Sequence, residues 1–251
     1  MAPDHEKIVK KMKNKAAVHL YDSIDSTNDE AKRRAALDCG AHLYAASRQT
    51  AGRGRRGHSF YSPEGTGLYM TLSLPCSCGQ DIQLLTCAAA VAVCEAVEAL
   101  SPVKPRIKWV NDIFVDGKKA AGILTELVCD SDNRPVKVIV GIGVNLCTED
   151  FPEEFAAAAG NLGDVEPEAL CAAITDRLLT LYEHPGDPAV IEGYRRRSLC
   201  LGKIVHYTKN GVEHTARAVD IAPDGGLVIE EDEKNFTLHS GEISVVMQSD
   251  P

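Results

Sequence analysis

One stretch limits the architecture more than any other: residues 105–146 carry alternating apolar runs on both sides of tight-turn signals. Asp116-Gly117, between Ile113-Phe114-Val115 and Ala120-Ala121-Gly122-Ile123-Leu124, is the pattern of a type I′ hairpin, whose two central residues need φ > 0. A second hairpin around Asp130 to Pro135 leads into Val136 to Leu146, where Gly141 and Gly143 signal close approach of another group. Upstream, Leu68, Met70, Leu72 and Leu74 alternate with Tyr69, Thr71 and Ser73, which predicts a half-buried strand. Val18 to Tyr21 and His42 to Ala46 read as two shorter strands. The pattern predicts an α+β fold, with a mixed or antiparallel sheet of about six strands flanked by helices.

The helices are marked as clearly. Thr27-x-x-Glu30 reads as a capping box that opens a helix running to Gly40. Gln80 to Leu100 is alanine-rich and apolar, but Glu95 and Glu98 interrupt it, so it reads as a buried helix and not a membrane span. Phe151 to Ala159, Pro167 to His184, with proline at its first position, and Asp187 to Arg197 are three more. After Leu199 the texture changes to short strands and tight turns: Lys203 to Thr208, Asn210-Gly211, His214 to Ile221, Asp224-Gly225-Gly226, Leu227 to Glu231, Phe236 to His239 and Glu242 to Val246. These suit a small SH3-like β-barrel. The boundary falls near Arg197, giving parts 1–197 and 198–251.

Composition excludes some functions. A formal net charge of −9 argues against a general nucleic-acid or membrane-surface binder, which needs a basic face. The basic run Lys7 to Lys15 reads as solvated, and Met1 to Lys15 lacks the apolar core of a signal peptide. Nine scattered cysteines, with no second pair to match Cys76-x-Cys78, point away from zinc and towards reduced thiols in the cytoplasm.

Against that acidic background, Arg48 to Tyr69 stands out. Arg48, Arg53, Arg55 and Arg56 put four guanidinium groups into nine residues, among Gly52, Gly54 and Gly57. Glycine lets backbone come close to a ligand, and arginine forks match phosphate and carboxylate oxygens. Gly52-x-Gly54-x-x-Gly57 also satisfies the dinucleotide-binding spacing. That pattern counts only between a strand and a helix. Here Arg48 to Ala51 separate it from the preceding strand, and Pro63, Gly65 and Gly67 forbid a helix after it.

Five segments in this order resemble the biotin protein ligases: Asp25-Ser-Thr-Asn28, Gln49-Thr-Ala-Gly-Arg-Gly-Arg-Arg-Gly57, Lys108-Trp-Val-Asn-Asp112, Lys118-Lys-Ala-Ala-Gly-Ile-Leu124 and Gly141-Ile-Gly-Val-Asn145. Ser240-Gly-Glu-Ile-Ser244 resembles the close of the family's C-terminal barrel. The resemblance implies a class II synthetase-like catalytic domain and a ligase that activates biotin with ATP and Mg2+ to biotinyl-5′-AMP. Biotin would then pass to a lysine of a biotin carboxyl carrier domain. It further implies that Ser26, Thr27 and Gln49 bond the ureido ring, helped by backbone at Gly122 and Gly141. Arg53 and Arg55 would hold the carboxyl and phosphate ends, in a loop with Gly52, Gly54, Arg56 and Gly57. Lys119 would sit between the biotin carboxylate and the α-phosphate, while Asn111, Asp112 and Asn145, near Gly143, would line the nucleotide side, with the metal near Asp112.

The chemistry of the residues agrees with this. Carboxylate attack on a phosphate brings two anions together and demands fixed cations. No Ser-His-Asp or Cys-His arrangement offers a protein nucleophile. Three positions depart from the family pattern: Val110 replaces a common proline, His58 a common arginine and Phe60 an occasional tryptophan. About seventeen residues precede the first strand, too few for the helix-turn-helix domain of repressor-type members, so DNA is not an expected partner. Lipoate or octanoate transfer, and a non-catalytic biotin sensor, are the alternative functions; a homodimer is left open. Trp109 is expected to be core, Lys118 solvated, and Lys119 to face the opposite side of its strand.

Overall fold

The computed structural model describes residues 4–36, 39–76, 81–209, 211–241 and 243–245. In chain order the first elements are α1 (His5–Lys11), β1 (Ala17–Tyr21), α2 (Thr27–Arg33), β2 (His42–Ala46) and β3 (Gly67–Pro75). Then come α3 (Ile82–Leu100), β4 (Arg106–Lys108), β5 (Asp112–Val115), β6 (Lys118–Cys129) and β7 (Pro135–Asn145). Three helices follow, α4 (Glu153–Ala156), α5 (Pro167–Tyr182) and α6 (Pro188–Arg197). The chain closes with β8 (Ile204–Lys209), β9 (Val212–Ile221), β10 (Leu227–Glu231), β11 (Lys234–Leu238) and β12 (Ile243–Val245).

The first sheet has seven strands in the order β1-β2-β3-β7-β6-β5-β4, one more than expected. Only β1 and β2 run parallel; every other pair is antiparallel. Short turns explain the β4-β5, β5-β6 and β6-β7 pairs, because tight loops join antiparallel neighbours. Asp116 and Gly117 have φ of 49° and 78°, the left-handed pair of a type I′ turn.

The two sides of the sheet differ. Val138, Val140, Ile142 and Val144 of β7, with Leu68, Met70, Leu72 and Leu74 of β3, belong to the main core, which α3 and α5 cover. α3 is long and apolar enough to cross a membrane, yet most of it is buried inside this fold. The opposite side is covered by α2, which packs on β2, β3 and β7. Thr71 and Ser73, expected on a solvated face, are therefore fully buried. α2 ends at Arg33 and not near Gly40, and residues 37–38 lie outside the described ones.

The basic N-terminal run forms α1, which sequence reasoning left solvated. Asp4 caps it and Ile8 is fully buried against the α5 side of the core. The carboxylate of Asp176 accepts from the backbone N–H groups of Lys13 and Asn14 beyond it.

The second sheet has the order β11-β10-β9-β8-β12, all antiparallel, the small SH3-like unit expected. Asn210, Glu242 and Val246, which the turn and strand readings included, lie outside the described residues, as do Cys78 and Gln80. Both sheets share one apolar cluster: Val205, Ala218, Ile221 and Ile229 continue the core of the first. Trp109 joins them, buried as expected, with its indole N–H donating to the Gly225 carbonyl at 3.0 Å.

α2 is held at its start by Asp25, which receives both guanidinium nitrogens of Arg33 at 2.9 Å. These bonds, and then the Ser26 N–H, hold the Asp25 carboxyl down at about 2. A depressed carboxyl stabilises the fold above its unfolded value of about 4, and the contribution disappears as pH falls towards about 2. Solvent reaches this pair, so the gain is at most about 1 kcal/mol. We expect Asp25→Asn to flatten the stability profile between these two pH values and to leave its shape unchanged above them. Urea midpoints measured from pH 2 to 7 check this; an unchanged acid limb would contradict it.

Candidate active site

The α2-facing side of the first sheet is paved with glycine. Strand register places Asp112, Gly122, Gly143 and Tyr69 side by side across β5, β6, β7 and β3. One row along, Leu124, Gly141 and Thr71 are neighbours. With no side chains at 122, 141 and 143, other groups descend onto the backbone. A Cβ on Gly141 would lie 2.0 Å from Asn28 Oδ1, and one on Gly143 would lie 2.5 Å from the ring of Phe60. The close approach expected at both glycines is thus made by side chains of the chain itself. Around this floor opens a cleft of about 370 Å³.

At one end stands a hydrogen-bonded cluster. Ser26, not Thr27, is the N-cap of α2: its Oγ accepts from the Asp29 N–H at 3.4 Å. Thr27 is thereby the first helical residue, and its side chain turns to other partners. Its backbone N–H donates to Gln49 Oε1 at 2.9 Å, and its Oγ1 lies 3.1 Å from the same oxygen. Gln49 Nε2 donates to Ser62 Oγ at 3.0 Å, which fixes the amide's orientation. Ser26 and Thr27 are buried, at 1% and 3% exposure.

The other end is charged. Lys119 Nζ stands 2.7 Å from Asp112 Oδ1 as an ion pair, yet no hydrogen-bond donor is aligned on that buried oxygen. A β-bulge explains how Lys119 reaches it. Ile113 pairs with Ala121 but Phe114 pairs with Lys119, so Ala120 is an extra residue in β6. Unbroken alternation would have put Lys119 on the core side with Ala121 and Ile123. Lys118 is exposed beside it and packs over Gly160. The segment after α4 covers Lys119, whose N–H donates to the Ala158 carbonyl at 2.8 Å while its carbonyl accepts from Gly160 at 2.9 Å.

The arginine loop folds back as a small hairpin above the floor. Phe60 N–H donates to the Gly52 carbonyl at 2.9 Å and Gly54 N–H to the His58 carbonyl at 2.7 Å. A 3₁₀ turn at Arg55–Gly57 closes it, with Arg56 and Gly57 at φ of 53° and 81°. Arg55 reaches the cleft and donates to Asn111 Oδ1 at 3.2 Å; Asn111 in turn donates to the Ile123 carbonyl at 2.8 Å. Arg53 lines the cleft mouth and pairs with Asp29 at 2.6 Å. Asn145 lines the cleft and donates to the Gly160 carbonyl at 3.1 Å.

Of the sequence-derived residues, the fold brings Ser26, Thr27, Gln49, Arg53, Gly54, Arg55, Asn111, Asp112, Lys119, Gly122, Gly141, Gly143 and Asn145 to the cleft. Gly52, Arg56 and Gly57 do not line it. Gly52 is a packing glycine, since a Cβ there would meet the Phe60 carbonyl at 2.4 Å. Arg56 is exposed at the turn. Sequence reasoning missed Asn28, Phe60, Phe155 and the barrel residues Ile243 and Ser244, all of which line the cleft. Asn28 was legible as part of its motif; the barrel's contribution depends wholly on tertiary packing.

Residues 20–145 match the biotin/lipoate A/B protein ligase family, and residues 200–246 match the biotin protein ligase C terminal domain. The bifunctional ligase/repressor BirA of Bacillus subtilis (strain 168) is 34% identical over 215 residues, 81% of this chain and 66% of that protein. The chain thus spans just under two thirds of that relative's length. The biotin--[acetyl-CoA-carboxylase] ligase of Mycobacterium tuberculosis is 29% identical, covering 87% of this chain and 85% of the relative. Among solved structures, the biotin protein ligase from Aquifex aeolicus in complex with biotin and ATP superposes with a TM-score of 0.76. It is 27% identical and is matched over 91% of this chain and 98% of its own.

The glycine floor yields a prediction. Asn28 is short and held at both ends of its amide, so it cannot yield to a methyl group at 141; the ring of Phe60 can swing away from one at 143. Gly141→Ala should destabilise the protein by about 1–3 kcal/mol, the range for overpacking, and Gly143→Ala by less. Urea unfolding of both variants checks the order, which the reverse ranking would overturn.

Proposed function

The chain belongs to the biotin/lipoate A/B protein ligase family, and we propose on that premise that it is an ATP-dependent biotin protein ligase. One observation carries the reading: a side-chain-free floor at Gly122 and Gly143 runs between a neutral hydrogen-bonding cluster and a cationic end. A ligand with a polar, uncharged ring at one end and a carboxylate at the other fits such a cleft. Ser26, Thr27 and Gln49 meet the ring, and Lys119 and Arg55 meet the carboxylate and the phosphates of ATP.

In the first step a carboxylate oxygen of biotin attacks the α-phosphorus of ATP. The bond to the bridging oxygen breaks, pyrophosphate leaves, and biotinyl-5′-AMP remains. Lys119 offers fixed positive charge where the two anions converge, so no reorganisation is needed as charge builds. In the second step the amine of a carrier-domain lysine attacks the acyl carbon, loses a proton and displaces AMP. The hairpin carrying Arg53 and Arg55 lies over the cleft and limits access of water to the mixed anhydride.

A magnesium ion fits the charged end, where the Asp112 carboxylate would hold it. Asp112 Oδ1 is buried beside Lys119 Nζ with no hydrogen-bond donor aligned on it, and among the described residues no group of three His, Cys, Asp or Glu forms a metal cage. Magnesium bound with ATP needs only one or two carboxylates, because phosphates and waters complete its shell. When bound it neutralises phosphate charge.

Residues 1–197 would carry biotin and ATP, and 198–251 the barrel, which adds Ile243 and Ser244 to the cleft wall. The carrier lysine would enter from a biotin carboxyl carrier domain. The cytoplasm suits the eight described cysteines, all of which are free thiols.

Lys119→Ala should slow pyrophosphate release roughly a hundredfold or more, by analogy with the ~3–4 kcal/mol lost with one preorganised donor. Biotin affinity should fall much less, since the ring contacts are untouched. Lys118→Ala, exposed beside the site, should be nearly silent. Pyrophosphate assays and calorimetry on both variants test this; normal release by Lys119→Ala would refute the assignment.

A further inference from the structure

A single hydrogen-bond chain runs from the outer face of α2 into the neutral end of the cleft. Lys32 Nζ donates to Glu126 Oε1 at 2.6 Å, and Asn28 Nδ2 donates to Glu126 Oε2 at 2.9 Å. Thr71 Oγ1 lies 2.7 Å from Asn28 Oδ1 and 2.8 Å from Thr27 Oγ1. Thr27 Oγ1 lies 3.1 Å from Gln49 Oε1. Thr71 is fully buried and Asn28 is 4% exposed.

The protons in this chain can be counted. Three oxygen–oxygen contacts link Asn28, Thr71, Thr27 and Gln49, but only the two threonine hydroxyls have a proton to give. The Glu126 carboxylate, paired with Lys32, accepts only, so it takes the amide N–H of Asn28 and turns Asn28 Oδ1 towards Thr71. Thr71 must spend its proton on that carbonyl and offers Thr27 a lone pair. Thr27 then has one proton and two facing oxygens, and the closer is Thr71 at 2.8 Å against Gln49 Oε1 at 3.1 Å, so its hydroxyl donates to Thr71. Gln49 cannot compensate by flipping, because its Oε1 receives the Thr27 backbone N–H and its Nε2 donates to Ser62. The contact between Thr27 Oγ1 and Gln49 Oε1 is left without a proton, and both residues line the cleft.

We propose that Glu126 and Asn28 are positioning residues that make the Thr27 hydroxyl and the Gln49 carbonyl a pair of acceptors, selecting a ligand ring that carries an N–H donor. An arriving N–H satisfies the two facing oxygens. A ring without one leaves the two oxygens facing each other with no proton between them, which is the stronger form of discrimination. The inference rests on the biotin reading, since biotin's ureido group supplies such an N–H. Glu126 and Thr71 do not line the cleft and act only through their neighbours.

Glu126→Gln reverses the chain while keeping its shape. Lys32 holds the new carbonyl, the new amide faces Asn28, and Asn28 flips to donate to Thr71. Thr71 then donates to Thr27, and Thr27 to Gln49, so every contact has a proton and the paired acceptors vanish. Calorimetry should show biotin binding weakened about tenfold, the loss of one good hydrogen bond. The rate of pyrophosphate release at saturating biotin should stay within about twofold, and binding of lipoate, whose ring has no N–H, should not weaken. Lys32→Met, which removes the ion pair but leaves the carboxylate, should bind biotin within about twofold of wild type. Thr71→Val frees the Thr27 proton for Gln49 and should weaken biotin binding as Glu126→Gln does, which covers the case of a misfolded Glu126→Gln. Unchanged biotin affinity in a folded Glu126→Gln or Thr71→Val, or an equal loss for biotin and lipoate, would overturn the proposal. Wild-type protein that binds no biotin would instead overturn the functional reading beneath it.

Discussion

The close approach of Asn28 to the backbone of β7 is the contact on which the rest of the site depends. It requires Gly141, whose Cβ would collide with Asn28, and it requires Thr71 directly opposite Gly141 on β3 to donate to the carbonyl side of that amide. Because the helix sits this low, Ser26 can cap it and Thr27 can turn inward to Gln49. The same register brings Gly143 and Gly122 into line with Asp112, extending the bare floor to the charged end. An antiparallel sheet usually shows water one polar face; here α2 covers that face and its polar side chains become the lining of a cleft.

The cations around the cleft are engaged by the chain's own groups. Arg53 pairs with Asp29, Arg55 bonds Asn111 and Lys119 pairs with Asp112. Holding cations in this way keeps their side chains ordered before any anion arrives, so their positioning entropy is already spent in folding. The bulge at Ala120 is the device that makes this possible for Lys119. It turns a residue of core parity towards the cleft without disturbing Ala121 and Ile123, which stay in the core.

The barrel is part of the same physical body as the first sheet. Its core residues join the main apolar cluster, its Gly225 carbonyl receives Trp109, and the Leu199 N–H donates to the Ile107 carbonyl at 2.7 Å. Gly225 has a second constraint, since a Cβ there would meet Cys87 Sγ of α3 at 2.8 Å. Trp109 is therefore core and boundary at once: its ring packs, its N–H ties the two sheets, and its edge borders the cleft.

The sequence alone determined what depends on neighbours in the chain. The Asp116-Gly117 turn, the two-residue period of β3 and β7 and the strand–turn rhythm after residue 199 are local, so composition and spacing suffice to read them. The motifs likewise named most residues that line the cleft, because their order along the chain survives folding. Other features were settled only by tertiary structure. Which hydroxyl caps α2 turned on whether Thr27 had a better partner in Gln49, 22 residues away. Asn28 gained its role from Glu126, 98 residues on, and the cleft gained a wall from a barrel more than 100 residues beyond Asp112. Strand register and the packing of α2 create those contacts, and neither is written in any short window of the chain.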